Sequence, residues 1–453
     1  MNVKTDVLII GGGPAGIQAS RMLKTLHPPL DVVVLRPEQY SMIYCAIPYV
    51  LEGLVEPKKS YKKDELITSV AARLFKERAV SVDFDANVVK TDPGHTFYYK
   101  TLLIATGANP FVPMLKGKEL ERILTVKTGS DMQNILDLIE AGAKSAVVIG
   151  AGAIGIEQAL AYRRRGMEVH LVDMASHPLP AMLDVDFAES VTNILEQEGI
   201  KLYLGRKLVS FEGRNAVRTV VLDDGTTIKL NERKDFVIVS VGVKPNLDLF
   251  VGTDLEIGPD GLIIDKNMLT NREGVYAAGD CCQYYSGIDG KAIGGKLATN
   301  AVPMAKVAAL NILGFDAEFP GLFNGAVTIT GELRVGGTGF TEKIAKQRGL
   351  DVSSSFGETT TRFPMMPGAG KVKVKLVYEN NTKRIVGGQV IGAEAVAERI
   401  DIITFAIQHR MTVSELSGLS YCAQPWQTFF PARNAIVSAA TTAFLKSKSF
   451  LKV

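Results

Sequence analysis

Two segments of the chain share one pattern of apolar and polar positions. Val7-Leu8-Ile9-Ile10 and Val147-Val148-Ile149 are short continuous apolar runs, the pattern of strands buried on both faces. Each run leads into Gly-x-Gly-x-x-Gly and then into a helix-forming stretch with small residues at its start, VLIIGGGPAGIQASRML over 7–23 and VVIGAGAIGIEQALAYR over 147–163. The first glycines, Gly11 and Gly150, lie 139 positions apart (150 − 11). That separation predicts two Rossmann-type units in one chain, each binding its own dinucleotide.

Around these anchors the pattern predicts an α/β unit over residues 1–116, closing with the strand Thr101-Leu102-Leu103-Ile104-Ala105. A second α/β unit spans 117–250 and ends on the strand Phe236-Val237-Ile238-Val239-Ser240. Residues 251–323 hold GVYAAGDCCQ and a helical stretch from Ala298 to Leu313. From 324 to 453 the period changes to alternating strands such as Lys371-Val372-Lys373-Val374-Lys375-Leu376-Val377, with a helix near 394–410 and no nucleotide motif.

Composition narrows the function classes. The 453 residues exceed one hydrophobic core, and 46% hydrophobic with 22% charged side chains is ordinary for a soluble globular protein. The 51 basic and 48 acidic residues leave a net charge of +3, too balanced for nucleic acid or an anionic membrane as the main partner. No apolar run approaches the ~20 residues of a spanning helix. The first apolar run feeds straight into a glycine turn and is taken as a strand rather than a signal core. Four cysteines make no disulfide framework, so a reducing cytoplasm is expected, and no metal-ligand set is evident.

In the first motif Gly11 permits the tight turn, Gly13 lets a pyrophosphate approach the helix start at Pro14 and Ala15, and Gly16 allows close helix–strand packing. The acid expected at the end of the second strand is missing. Val32-Val33-Val34-Leu35 is followed by Arg36-Pro37-Glu38, so either Glu38 reaches the ribose from a shifted position or backbone groups replace it. The second motif, Gly150, Gly152, Ile154 and Gly155, is followed by the strand Glu168–Asp173. Asp173 lies 23 positions after Gly150, where a carboxylate accepts ribose hydroxyls and repels a 2′-phosphate, which favours NADH. His177 and Arg163–Arg165 are phosphate candidates, with a solvated basic helix end the plainer account of the arginines.

Cys45 is the candidate thiol. It lies in Tyr40-Ser41-Met42-Ile43-Tyr44-Cys45-Ala46-Ile47-Pro48-Tyr49, just after the second strand and at a predicted helix start, a setting that favours the thiolate. A Cys-x-x-x-x-Cys dithiol would place its partner at 50, which is Val50. Ser41 beside the thiol and the basic cluster Lys58, Lys59, Lys62 and Lys63 are candidate substrate contacts. The lysines suit coenzyme A phosphates, and a solvated loop accounts for them equally well.

LIIGGGPAG, SMIYCAIPYVLEG, LLIATGANP, VVIGAGAIGIE, VSVGVKPN and GVYAAGD occur in this order. In this the whole chain resembles the pyridine nucleotide–disulfide oxidoreductase superfamily. The similarity is to its single-cysteine branch of coenzyme A disulfide reductases, NADH oxidases and peroxidases, and persulfide or polysulfide reductases. The resemblance implies an α/β fold with two Rossmann-like domains and a C-terminal α+β dimerisation domain. It implies FAD on the first motif, with Gly279 and Asp280 at its ribityl or pyrophosphate region, and NADH on the second. Ala105, Thr106, Gly107 and Gly242 would line the crossings between the domains, and Glu157 would stand in the nicotinamide cleft. The last domain would make a homodimer and bring Tyr421, in Ser420-Tyr421-Cys422, to the partner subunit's Cys45.

Departures from the branch narrow the acceptor. The first glycine turn lacks the histidine of oxidases and peroxidases, and the only late histidine is His409. Where coenzyme A disulfide reductases have Tyr-Tyr-Pro-Gly, this chain has Met365-Met366-Pro367-Gly368. The expected activity is electron transfer from NADH through FAD and Cys45 to a small disulfide, persulfide or polysulfide, coenzyme A-linked or not. An oxygen-reducing NADH oxidase and a low-turnover redox sensor are the alternatives. Cys422 is either a resolving thiol or a small buried residue, and Cys281 and Cys282 are expected to be buried.

Overall fold

A computed structural model describes residues 1–447, which form two compact units. The first comprises residues 1–111, 127–129 and 242–322, and the second comprises 112–126, 130–241 and 323 onward.

The first unit is built on a seven-stranded sheet. Its order is Arg73–Phe75, Val32–Leu35, Asn2–Ile10, Thr96–Ile104, Val88–Asp92 and Arg78–Asp83, with Val275–Ala277 also pairing on Thr96–Ile104. Strands along the glycine-motif side are parallel, and Val88–Asp92 and Arg78–Asp83 join antiparallel. Val32–Leu35 is buried throughout, as a central parallel strand covered on both faces should be. Thr96–Ile104 begins earlier than the apolar run at 101–105. Its first half alternates buried and exposed residues where Val88–Lys90 pairs with it, and only the second half is continuously apolar. Helices Pro14–Leu26 and Ala298–Ile312 contact each other in this unit.

The second unit has a five-stranded parallel sheet, ordered Ile123–Leu124, Phe236–Val239, Ser145–Ile149, Glu168–Asp173 and Lys201–Leu204. An antiparallel three-stranded sheet, Leu208–Gly213, Val217–Leu222 and Thr227–Lys229, shares its apolar core. The unit also holds a five-stranded antiparallel sheet ordered Ala326–Thr330, Leu333–Gly339, Ile385–Gly392, Lys371–Glu379 and Val352–Thr360. Helices Val396–Gln408 and Ala435–Ser447 pack on this last sheet.

A charge cluster around one buried lysine ties the parallel and antiparallel parts of the second unit together. Lys375 is 3% exposed, and its ammonium reaches Asp186 at 2.8 Å, Asp184 at 3.1 Å and Glu342 at 3.5 Å. Gln389 donates to Asp184 at 2.6 Å, and the backbone N–H groups of Glu342 and Lys343 donate to the same carboxylate. No helix among the described residues is long and apolar enough to cross a membrane.

Candidate functional site

The first glycine turn is shaped by close backbone approach. Gly11 has φ +121°, and a Cβ there would stand 2.0 Å from the Ala105 carbonyl oxygen. At Gly16 a Cβ would stand 1.9 Å from the Gly11 oxygen, so helix and strand meet at a distance only glycine allows. At Gly13 a Cβ would have no neighbour within 4 Å, which leaves open space at the helix start. A second helix start converges here: a Cβ at Gly279 would lie 3.3 Å from the Cβ atoms of both Ala15 and Ala301. Gly13 and Leu297, the residues preceding the two helices, offer no capping side chain, and neither first turn carries an acid. Unfilled space and two uncapped helix dipoles fit a pyrophosphate.

The place of the missing acid is taken by Arg36, a residue the sequence pattern did not single out. Its side chain is 2% exposed and donates to the Glu38 and Gln39 carbonyls and to Asp64 at 2.6 Å. Its aliphatic stem lies against Gly12, where a Cβ would be 2.7 Å from Arg36 Cδ. The Glu38 side chain is exposed beyond this support.

Cys45 lies in a 3₁₀ turn, Tyr44–Ala46, that runs into the short helix Ile47–Glu52, and it is exposed. A two-strand ribbon pairs Ser41 with Lys62, and the Ile43 N–H donates to the Ser60 carbonyl at 2.8 Å. The ribbon thus brings three predicted site residues together. Ser41 is buried, and its hydroxyl has no hydrogen-bond partner among the described residues. Burial pulls the Lys62 ammonium below the ordinary lysine range, and the nearby Cys45 sulfur pushes it back up. Lys58 and Lys59 are exposed on the 3₁₀ turn Pro57–Ser60, which leads directly into the ribbon.

Behind Cys45, the Tyr44 ring lies under the Lys127 ammonium at 5.3 Å, and Lys127 approaches Asp280 to 4.0 Å. Asp280 also accepts from the Tyr284 hydroxyl at 3.1 Å. Burial raises Tyr44, and the charges of Glu38 and Asp280 add to it. Lys127 escaped the sequence reading because it falls inside the stretch assigned to the second unit, yet it folds with the first. Residues Ala105, Thr106 and Gly107 lead into a ribbon in which Ala108–Pro110 pairs antiparallel with Val243–Pro245. There the Thr106 hydroxyl donates to the Asn246 carbonyl, and the Phe111 N–H to the Gly242 carbonyl, both at 2.9 Å. Cys281 and Cys282 are fully buried, with sulfurs 3.9 Å apart.

In the second unit the other motif repeats the first. A Cβ at Gly155 would lie 1.8 Å from the Gly150 oxygen, Gly152 is open, and Ile154 is half exposed. Asp173 accepts from the Ala151 N–H at 2.6 Å and from the Ala175 N–H at 2.7 Å. Its carboxylate therefore stands at the rim of the glycine turn with lone pairs left for hydroxyl donors. His177 is buried, with Nδ1 at 3.1 Å from the Pro178 carbonyl, and Arg163 donates to the Glu198 carbonyl at 2.8 Å. Glu157 accepts from Thr328 at 2.7 Å. Tyr421 also lies in this unit, its hydroxyl donating to the Pro431 carbonyl at 2.7 Å. Cys422, weighed as a small buried residue, is exposed because the loop from Gly418 to Gln427 runs along the surface of the unit. No metal-binding group of His, Cys, Asp and Glu occurs among the described residues.

The family model for pyridine nucleotide-disulphide oxidoreductases matches residues 5–305, and its dimerisation-domain model matches 326–428. The chain belongs to the pyridine nucleotide-disulphide oxidoreductase family. An NADH oxidase of Methanocaldococcus jannaschii is 34% identical over 92% of this chain and 94% of its own length. An NAD(P)H coenzyme A polysulfide/persulfide reductase of Pyrococcus horikoshii is 33% identical over 88% of this chain and 90% of its own. The structure of an NAD-dependent persulfide reductase from A. fulgidus superposes with a TM-score of 0.92 at 30% identity, over all of this chain and 84% of that one.

As a member of this family the protein is an oxidoreductase using FAD and a nicotinamide dinucleotide, and the two open glycine turns fit that pair. One expected outcome follows from Asp173. Asp173→Ser should relax a preference for NADH, because the charge that repels a 2′-phosphate is removed. Steady-state kcat/KM for both dinucleotides measures this. A wild type preferring NADPH tenfold, about 1.4 kcal/mol, would show that the carboxylate does not act in this way.

Proposed function

We propose that the protein passes electron pairs from NADH through bound FAD and Cys45 to a low-molecular-weight disulfide, persulfide or polysulfide. The observation that carries this is the setting of Cys45: an exposed thiol in the FAD-binding unit, beside the ammonium of Lys62, with no local thiol to close a disulfide. Bound FAD supplies the two-electron link between the dinucleotide and the sulfur. When Cys45 carries a mixed disulfide, an electron pair and a proton release the held fragment as a thiol and leave the Cys45 thiolate. That thiolate then attacks the next S–S bond, reforming the mixed disulfide and expelling the other half as a thiolate. Lys62 supports the thiolate electrostatically. The relatives named as coenzyme A polysulfide/persulfide and persulfide reductases support this acceptor class, and on this reading the exposed Lys58 and Lys59 are candidate contacts for coenzyme A phosphates.

The protein works as a homodimer in the cytoplasm on this reading, with Tyr421 offered to the partner's thiol. The dimerisation-domain match supports the dimer. Oxygen reduction is the second reading, favoured by the relatives named NADH oxidase. Anaerobic NADH consumption against coenzyme A disulfide, coenzyme A persulfide, polysulfide, glutathione disulfide and peroxide, set beside NADH consumption in oxygenated buffer without them, separates the two. A sulfur acceptor should outpace oxygen in kcat/KM. Turnover with oxygen alone would overturn the proposal.

A further inference from the structure

We propose that Thr328, on the first strand of the C-terminal antiparallel sheet, is a positioning residue for the Glu157 carboxylate and through it sets how the second dinucleotide site responds to charge on the nicotinamide. The two residues are 171 positions apart, yet the Thr328 hydroxyl donates to Glu157 Oε1 at 2.7 Å. Thr328 is 4% exposed, so its hydroxyl is committed inside the protein rather than to water. Glu157 lies in the first turns of the helix Ala153–Arg164, two residues beyond Gly155 of the dinucleotide turn. That helix packs on Ser145–Ile149, Glu168–Asp173 and Ala326–Thr330. Burial holds the Glu157 carboxyl above the ordinary glutamate range and Thr328 pulls it back; Glu168, His170 and Asp173, the charged and titratable groups on those strands, are not among the causes of its shift in the described residues. Among the described residues, then, one neutral hydroxyl does for this carboxylate what a cation usually does.

A carboxylate beside the nicotinamide favours the ring in its positively charged, oxidised form, and a protonated carboxyl does not. NAD⁺ affinity should therefore strengthen as pH rises through the Glu157 titration. The same titration appears in stability with a defined sign. A carboxyl raised in the folded state contributes stability below its unfolded value, and that contribution is lost as pH rises through the folded value. Without the Thr328 hydrogen bond both midpoints move to higher pH.

This inference rests on the proposed place of Glu157 in the nicotinamide cleft, and its test needs no turnover. Purified flavoprotein carrying Thr328→Val, Thr328→Ser or Glu157→Gln is compared with wild type by calorimetric NAD⁺ binding and by thermal denaturation across pH. Thr328→Val should shift both midpoints upward by roughly one pH unit, the order of one lost hydrogen bond to a charged group. Thr328→Ser should restore them, and Glu157→Gln should remove the Glu157 contribution to both profiles while the dependence due to groups such as Asp184 and Glu342 remains. Thr328→Ala repeats the test if the valine variant does not fold. An unmoved stability midpoint in Thr328→Val would overturn the link between the two residues. A moved stability midpoint with unchanged NAD⁺ affinity profiles would overturn the effect on the nicotinamide, and leaves the acceptor experiment on Cys45 unaffected.

Discussion

Cys45→Ser is expected to abolish turnover with sulfur acceptors while leaving a yellow, folded protein whose flavin NADH still bleaches. The side chain is exposed and nearly isosteric with serine, so neither packing nor the ribbon of Ser41 and Lys62 should change. The serine hydroxyl remains protonated where a cysteine thiolate forms, so nothing attacks the S–S bond. The loss in kcat should be on the order of 10³-fold or more, as for removal of a nucleophile elsewhere. Flavin absorbance, rapid NADH bleaching and acceptor-dependent thiol release measure the three parts separately. Undiminished thiol release by the variant would place the chemistry at another group.

The second large effect is on stability. Lys375→Ala should destabilise the second unit, by less than the roughly 3–5 kcal/mol of a fully buried pair, because Asp184 loses its cation while Asp186 and Glu342 stay partly solvated. Lys375 is 3% exposed and faces Asp184, Asp186 and Glu342. Burial works against the ionised carboxylate of Asp184, but its hydrogen bonds and Lys375 hold it below the ordinary range, and Glu342 is likewise held below its own. A carboxylate lowered in the folded state contributes stability above its unfolded value and loses it as pH falls through the folded value. In the variant these carboxyls titrate higher. The deficit relative to wild type should be full at neutral pH and shrink in acid as they take up protons. Thermal denaturation at neutral and acid pH checks this. A deficit that does not change with pH would assign the loss to packing of the lysine stem.

Much of the fold was legible because its signals are local. Both glycine turns, the buried strand Val32–Leu35 and the strand Glu168–Asp173 ending in Asp173 rest on residues adjacent in sequence, and each lies where the pattern put it. Cys45, expected to open a helix after the second strand, lies instead in a 3₁₀ turn that runs into the helix Ile47–Glu52. What escaped is long-range. Lys127 joins the unit that holds Asp280, and Thr328 reaches Glu157. Neither pairing leaves a periodic trace, because each depends on how separate sheets and crossings come together. Arg36 is the intermediate case. The absent acid announced a departure after Leu35, but only the folded loop shows an arginine holding Glu38, Gln39 and Asp64.

The central claim, that electrons leave through sulfur at Cys45, has a direct electron count. Protein treated with a sulfur acceptor, freed of excess and titrated anaerobically with NADH carries two sinks per chain if the claim holds: the S–S bond at Cys45 and the flavin. Each takes one electron pair, so wild type should require two equivalents of NADH per flavin, and Cys45→Ser one. One equivalent for both proteins, with acceptor turnover intact, would contradict it.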